Sequence, residues 1–122
     1  MKKSEFIELW LQALESGKFR QGKSLLWQKG NKYCCLGVAC VVAQETGVRQ
    51  IEIEKDYDEF LPVTLANFLN ITTAGSFKDI VTYNGSDFLN LADMNDEGVT
   101  FKEIANVIRE QIKAKNFKGK NE

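Results

Sequence analysis

Apolar residues are densest over residues 32–45 (KYCCLGVACVVAQE), and the rest of the predicted fold is organised around this segment. Residues 32–34 are predicted to end a strand, and residues 36–45 to form a helix that is apolar on nearly every side. A helix of this kind is normally buried at the centre of a fold. Gly37, near the start of this helix, is predicted to allow close approach of another backbone segment.

The N-terminal segment has a single apolar face, which predicts an amphipathic helix over residues 4–16. Ser4 is the predicted N-cap, and Gly17 is the predicted stop. Trp10 is predicted to anchor the core rather than to contact a ligand. The apolar stripe consists of residues at three- and four-residue spacing: Phe6, Ile7, Trp10, Leu11 and Leu14.

A β-hairpin is predicted between these two helices. Residues 24–28 alternate weakly as a strand, residues 29–31 (KGN) have the composition of a turn, and residues 32–34 return as the second strand. This hairpin would place Trp27 opposite Tyr33, where the two rings could pair across the strands.

The second half of the chain predicts shorter elements. Residues 48–54 alternate and predict a strand, and residues 62–69 predict a short helix that begins at Pro62. A further strand around residues 77–83 is predicted to end at an Asn84-Gly85 turn. Ser86 is then predicted to cap a helix over residues 87–94.

The last helix carries a capping box, with Thr100 at the N-cap and Glu103 three residues later. Residues 113–122 are lysine-rich and predict a frayed basic tail. The sequence thus predicts one compact α+β domain over residues 1–112, with a small antiparallel sheet or hairpin packed against about five helices. The inward stripe of the last helix is predicted to be Phe101, Ile104, Ala105, Ile108 and Ile112.

Composition narrows the functional classes. The chain has 122 residues, 43% of them hydrophobic, and a net charge of -1. This balance argues against a dedicated binder of double-stranded nucleic acid. No apolar run is long enough for a membrane span, and the N-terminus lacks the apolar centre of a signal peptide. Three cysteines, two of them adjacent, then favour reduced thiols in a cytoplasm.

The chain contains no histidine, so the usual general base, thiol activator and metal ligand are missing. Cys34 or Cys35 at a helix start is a candidate nucleophile, but a buried small hydrophobe is the favoured interpretation. Zinc and other cofactors are not predicted, because three cysteines without the usual spacing form a poor ligand set. Residues 93–98 (DMNDEG) resemble a calcium loop, but its twelfth position is Ile104 instead of a bidentate acid. A tight turn between helices is favoured there.

Cations and aromatic rings cluster around the predicted hairpin, and this combination suits a phosphate attached to a planar ring. Asn95 or Asp96 is predicted to read a polar edge of the same ligand. Arg109 would contribute only if the last helix packs beside the hairpin. The remaining predicted ligand-binding residues are the cations Lys18, Arg20 and Lys29 and the rings Trp27 and Tyr33; Lys23 lies in the same cluster.

Three blocks resemble a family of small phage and prophage proteins with the pattern ALxSGKYxQG…YCCLGVxC…LNDxGxSFxxIA. They are residues 11–22 (LQALESGKFRQG), residues 33–40 (YCCLGVAC) and residues 94–105 (MNDEGVTFKEIA). Met94 replaces the usual leucine, and Thr100 replaces a serine of the same capping chemistry. The resemblance implies a setting, the bacterial host cytoplasm during infection, and no activity.

Three functional hypotheses follow. The first is a non-enzymatic counter-defence protein that sequesters a small, phosphate-bearing, nucleotide-like immune signal at the hairpin, with a homo-oligomer possible around the pocket. The second is an inhibitor that binds a host defence protein directly, through a surface such as residues 57–60. The third is a hydrolase that depends on Cys34 or Cys35.

Overall fold

The buried centre of the fold is helix α2 (Cys35–Thr46), as the sequence predicts. In the computed structural model, which describes residues 1–119 of the chain, the side chains of Leu36, Val38 and Ala39 are completely buried. The Sγ atom of Cys34 caps the helix by accepting a hydrogen bond from the backbone N of Gly37. Gly47 ends it in the left-handed conformation, where glycine carries no Cβ penalty.

Gly37 is the point of closest contact between α2 and the segment before it. A Cβ atom added there would overlap the carbonyl oxygen of Leu26 and lie 2.7 Å from its carbonyl carbon. The predicted close backbone approach is therefore confirmed. It holds the start of α2 directly against the hairpin segment.

Helix α1 (Lys3–Glu15) packs against α2 and against the last helix, α5 (Phe101–Lys113). The prediction that Trp10 anchors the core is confirmed: it is 2% exposed, and its Nε1 donates a 2.9 Å hydrogen bond to the carbonyl oxygen of Cys35. The predicted Ser4 cap is wrong, because the helix begins one residue earlier and Lys2 occupies the N-cap without a side-chain hydrogen bond.

The hairpin is part of a three-stranded ribbon of very short strands, β1 (Arg20–Gln21), β2 (Trp27–Gln28) and β3 (Lys32–Tyr33). Strand β3 is central, parallel to β1 and antiparallel to β2. Trp27 pairs with Tyr33, as predicted. The strand expected over residues 24–28 is shorter, because Ser24 adopts a positive φ of 68° that interrupts extended backbone.

Residues 48–54 do not form the predicted strand. Their alternation is real, since Ile51 is buried and Ile53 is half-buried. However, no strand pairs with them in the part of the chain that the structure describes, and the segment runs as a loop to helix α3 (Val63–Leu69). Gln44 holds this loop by donating a side-chain hydrogen bond to the carbonyl oxygen of Ile51 at 3.1 Å.

A second sheet contains strands β4 (Ser76–Tyr83) and β5 (Ser86–Asn90), which pair antiparallel across the Asn84-Gly85 turn. The prediction of a helix capped by Ser86 is therefore wrong. Asn84 and Gly85 both have positive φ, the geometry of a tight two-residue turn that returns the chain directly into a paired strand. Helix α4 (Leu91–Asp96) begins only after Asn90, whose side chain accepts from the backbone N of Asp93.

The capping box of α5 is confirmed: Thr100 and Glu103 exchange hydrogen bonds as predicted. The inward stripe is correct except for Ile112, which is 40% exposed. Residues 114–119 are not frayed: Phe117 bridges to Phe77 of β4, and Asn116 is buried. The last three residues of the predicted tail, 120–122, lie outside the described residues.

Within residues 1–119 the fold is therefore one α+β domain with five helices and a small antiparallel sheet, as predicted. None of the helices described there combines the length and the apolar character required to cross a bilayer.

Candidate functional site

Asn95 lies beneath the three-stranded ribbon and is completely buried. Its Oδ1 accepts hydrogen bonds from Nε2 of Gln21 at 3.0 Å and from the backbone N of Cys35 at 3.1 Å. Its Nδ2 donates to the carbonyl oxygen of Gly22 at 2.8 Å. These bonds join α4 to β1 and to the start of α2. The geometry therefore supports a structural role for Asn95 and not the predicted hydrogen bond to a ligand.

Gln21 extends this network to α5. Its Nε2 also donates to the carbonyl oxygen of Val99 at 2.8 Å, and its Oε1 accepts from the backbone N of Phe101 at 3.1 Å. Sequence patterns gave no reason to select Gln21, because an isolated glutamine in a polar connector carries no periodic signal.

The two other predicted polar residues also have partners within the protein. Asp96 accepts a 2.7 Å hydrogen bond from the backbone N of Ser24. Arg109 forms a two-pronged ion pair with Glu15 on α1, with N–O distances of 2.7 and 2.8 Å. This pairing lowers the pKa of the Glu15 carboxyl and raises the pKa of Arg109. Arg109 therefore ties α5 to α1 instead of adding to the hairpin.

The ribbon contains four of the predicted residues but does not gather them on one face. Trp27 pairs with Tyr33, whereas Arg20 is in register with Lys32 on the opposite face, and Lys29 lies in the turn after β2. Tyr33, however, packs edge-on against Phe19, with ring centroids 5.5 Å apart. Arg20 donates to the carbonyl oxygen of Gly30 at 3.4 Å. Lys18 is exposed just after α1.

The surroundings of Trp27 and Lys29 are unfavourable for the predicted ligand. The ammonium group of Lys55 lies over the Trp27 ring, 5.5 Å from its centre, where a planar ligand ring would have to stack. The backbone N of Lys29 donates to the carboxylate of Asp56 at 2.7 Å, and the backbone N of Asp56 donates to the carbonyl oxygen of Trp27. An acidic loop thus occupies the neighbourhood that the predicted ligand would enter.

The three cysteines are free and buried. Burial raises the pKa of Cys34 to about 11 and that of Cys40 to about 12, and it raises the pKa of Cys35 well above its usual value. The nearby carboxylate of Asp96 raises the pKa of Cys34 further. Because the thiolate is the reactive species, none of these thiols has the environment of a nucleophile.

No group of three or more metal-ligating side chains is assembled anywhere in residues 1–119. In the calcium-like segment, Asn95 is buried in its network and Met94 points into the core, completely buried. The segment forms the end of α4 and the turn into α5, which agrees with the predicted tight turn between helices.

A cavity of about 260 Å³ lies elsewhere, between α1, α5, the end of α3 and residues 115–119. Its cations are Lys3, Lys78 and Lys115, and no carboxylate side chain lines it among the described residues. Trp10 presents only its ring, because its Nε1 already bonds to Cys35. The remaining lining residues are the apolar Ile7, Leu69, Ile71, Ile108, Ile112 and Phe117, together with Asn70, Gln111 and Gly119.

This combination can hold a small anion that has an apolar or planar part. Ammonium groups form strong charge-assisted hydrogen bonds to phosphate oxygens. The apolar wall removes a ring from water, which is favourable in proportion to the area buried. An apolar cavity of roughly 150 Å³ holds one benzene ring, so this larger cavity has room for a ring and a phosphate-sized group.

Sequence reasoning missed this cavity for an identifiable reason. Its lysines lie at positions 3, 78 and 115, on three elements that have no common spacing. Three lining residues, Lys115, Phe117 and Gly119, belong to the segment that composition predicted to be a frayed tail. The one available signal was the isolated aromatic Phe117 within a lysine-rich run.

A family model described as a domain of unknown function (DUF8296) matches residues 1–112. No curated protein and no solved structure shows significant similarity to the chain. The matched region extends from α1 almost to the end of α5. The cavity residues 115–119 lie beyond it.

Proposed function

We propose that this protein, which belongs to the DUF8296 family, is a non-enzymatic binder. It would sequester a small phosphate-bearing ligand with a planar ring. The observation that carries the proposal is the cavity between α1, α5 and residues 115–119, whose lining combines Lys3 and Lys115 with an apolar wall and contains no carboxylate among the described residues. Lys78 also lines the cavity, but it already has an interaction within the protein.

The roles of the lining residues follow from their chemistry. Lys3 and Lys115 would meet the phosphate from opposite elements, the start of α1 and the segment after α5. Phe117 and Ile112 would cover the ring. This assignment replaces the ribbon as the proposed ligand site, because the acidic loop beside Trp27 and Lys29 would repel an anion.

Retention of the ligand without conversion agrees with the groups available. The chain has no histidine, and its buried thiols have raised pKa values. A group that holds a proton so tightly supplies little nucleophile at neutral pH.

The resemblance to small phage proteins gives the proposal its biological setting. In that setting the protein acts in the cytoplasm of an infected bacterium and lowers the free concentration of a nucleotide-derived immune signal. A counter-defence role of this kind needs affinity and abundance, and it needs no turnover. A homo-oligomer that completes the pocket stays a prediction.

The test begins with extracts of bacterial cells in which a nucleotide-based defence is active. The purified protein is incubated with the extract, washed and heat-denatured, and the released small molecules are identified by mass spectrometry. The proposal predicts release of an intact phosphate-bearing compound. The matched control is a Lys3→Gln, Lys115→Gln double variant, which should release at least about tenfold less. Both lysines are exposed, so solvent screening reduces each charge-assisted bond to roughly 0.7 kcal/mol or more, and the two together contribute about 1.4 kcal/mol or more.

Other outcomes would contradict the proposal in distinct ways. A released compound of altered mass would indicate an enzyme. Release that does not change in the double variant would place the ligand outside the cavity. Absence of any captured small molecule, together with a host protein retained by the wild type, would favour direct inhibition.

A further inference from the structure

A second surface includes the loop of residues 52–62 and Val63, the first residue of α3, on the side of the ribbon that carries Trp27. Three of its apolar side chains are largely exposed: Tyr57 at 71%, Phe60 at 50% and Val63 at 64%. Leu61, between them, is only 3% exposed and fills the core. We define the exposed three as the aromatic patch. The patch does not contribute its apolar area to the core, so that area is available to a partner.

The loop that carries the aromatic patch is fixed in position by backbone hydrogen bonds. The backbone N of Leu26 donates to the carbonyl oxygen of Asp58 at 2.8 Å, and the backbone N of Leu61 donates to that of Thr73 at 3.0 Å. The Asp58 carboxylate closes the loop by accepting from the backbone N of Glu54 at 2.6 Å. A prearranged surface loses little conformational entropy when it binds a partner.

An acidic pocket of about 180 Å³ adjoins the patch, and Phe60 belongs to both. The carboxylates of Glu59, Asp93 and Asp96 line it, and no cationic side chain does so among the described residues. The loop itself has five acids, Glu52, Glu54, Asp56, Asp58 and Glu59, against the single cation Lys55. The combined surface is therefore strongly negative as well as apolar.

The chemistry of this surface selects one kind of occupant. A cationic side chain with an aliphatic stem can enter the pocket with its charge toward the carboxylates and its stem against Phe60. Apolar neighbours of that residue would cover Tyr57 and Val63, an arrangement in which aromatic anchors supply much of the binding energy of an interface. A small amine would leave the patch uncovered, and a nucleic acid would be repelled by the carboxylates.

We infer that the aromatic patch and the acidic pocket together form a docking surface for a segment of another protein that carries an arginine or lysine beside apolar residues. This surface contains none of the lysines of the proposed ligand cavity, so a failure of ligand binding at the cavity would not affect the proposed docking surface.

The probe is an amphipathic helical peptide of leucine and arginine, titrated into the ¹⁵N-labelled protein and followed by amide chemical shifts. Saturable shifts are expected in residues 57–63 and 93–96. A matched peptide with glutamate in place of arginine should not bind. The Glu59→Gln, Asp93→Asn double variant should weaken binding about tenfold, and Phe60→Ala should weaken it by a similar factor.

Two exposed positions away from this surface provide controls. Leu89→Ala removes an apolar side chain that is 61% exposed on β5, and Glu110→Gln removes a carboxylate on α5. Both should leave the affinity within about twofold. The inference is overturned if the arginine peptide does not bind, if the glutamate peptide binds equally, if the controls weaken binding as much as the pocket variants, or if the surface instead joins two copies of this chain.

Discussion

At the scale of single residues, Asn95 has the largest structural role among the residues that the sequence selected for function. It is completely buried and forms hydrogen bonds to three groups on two distant parts of the chain, the end of β1 and the start of α2. A residue at the end of a short helix offers no sequence signal for this role, because its partners lie between 60 and 74 positions away. Only its residue type suggested that the Asn95 side-chain amide hydrogen-bonds to a ligand.

We predict that Asn95→Ala lowers the free energy of unfolding by about 3 kcal/mol, because buried partners such as the Cys35 N–H and the Gly22 carbonyl lose their bonds. Urea denaturation measures this. The matched control is Asn67→Ala, an exposed asparagine on α3, which should change stability by less than about 0.5 kcal/mol. Similar effects of the two substitutions would contradict the assigned role of Asn95.

The cysteines lead to a second prediction at this scale. With the pKa of Cys34 raised to about 11, its thiolate fraction is very small near neutral pH. We expect iodoacetamide to alkylate the native protein at least about a hundredfold more slowly than the urea-unfolded chain at about pH 8. Mass spectrometry of time points gives the rate for each thiol. Rapid alkylation of native Cys34 or Cys35 would revive the hydrolase hypothesis.

At the scale of elements, the sequence predicts long, strongly periodic segments best. Helices α1, α2 and α5 were predicted nearly in full. Their apolar patterns extend over several turns, and a capping box marks the start of α5. Residues 86–90 were assigned incorrectly because Ser86, Phe88 and Leu91 imitate a capped helix. The Asn84-Gly85 turn, which was correctly predicted, already required a returning strand. Residues 48–54 alternate like a strand but have no neighbouring strand to pair with in the described chain.

One hydrogen bond joins the β4–β5 hairpin to α5, from the hydroxyl of Tyr83 to the carboxylate of Glu103. The bond lowers the pKa of Glu103 and raises that of Tyr83. A lowered carboxyl pKa stabilises the fold above the pKa of the unfolded chain, and this contribution disappears as the pH falls through the folded value. A raised tyrosine pKa adds stability that is lost as the pH rises through it. The bond therefore stabilises the fold at pH values between the pKa of Glu103 and the pKa of Tyr83 in the folded protein.

We predict that Tyr83→Phe lowers the melting temperature at about pH 7 and that its difference from the wild type shrinks as the pH falls to about 3. Thermal unfolding followed by circular dichroism across this range measures the difference. The melting temperature of the variant should still fall at low pH, but by less than that of the wild type. The Glu15–Arg109 pair, which also has a lowered carboxyl pKa, is unchanged in the variant. A difference that does not vary with pH would contradict this role of the bond.

At the scale of the whole molecule, the α+β fold could be predicted and the candidate site could not. Local periodicity reports which face of an element is apolar. It contains no information on which distant faces leave a gap between them. The three lysines line one cavity because the fold brings together the start of α1 with Lys3, strand β4 with Lys78 and the segment after α5 with Lys115. The sequence favours the ribbon as a site because its cations are close along the chain, but the loop that contacts it is acidic.

The central claim, that this cavity binds a ring-bearing phosphate, is tested most directly by calorimetric titration with adenosine monophosphate, and with adenosine and inorganic phosphate as its two parts. We predict that the nucleotide binds more tightly than either part. The Lys3→Gln, Lys115→Gln variant should weaken its binding at least about tenfold, and the ribbon variant Trp27→Ala, Lys29→Gln should bind like the wild type. The account is contradicted if the nucleotide does not bind, or if the ribbon variant loses affinity while the cavity variant retains it.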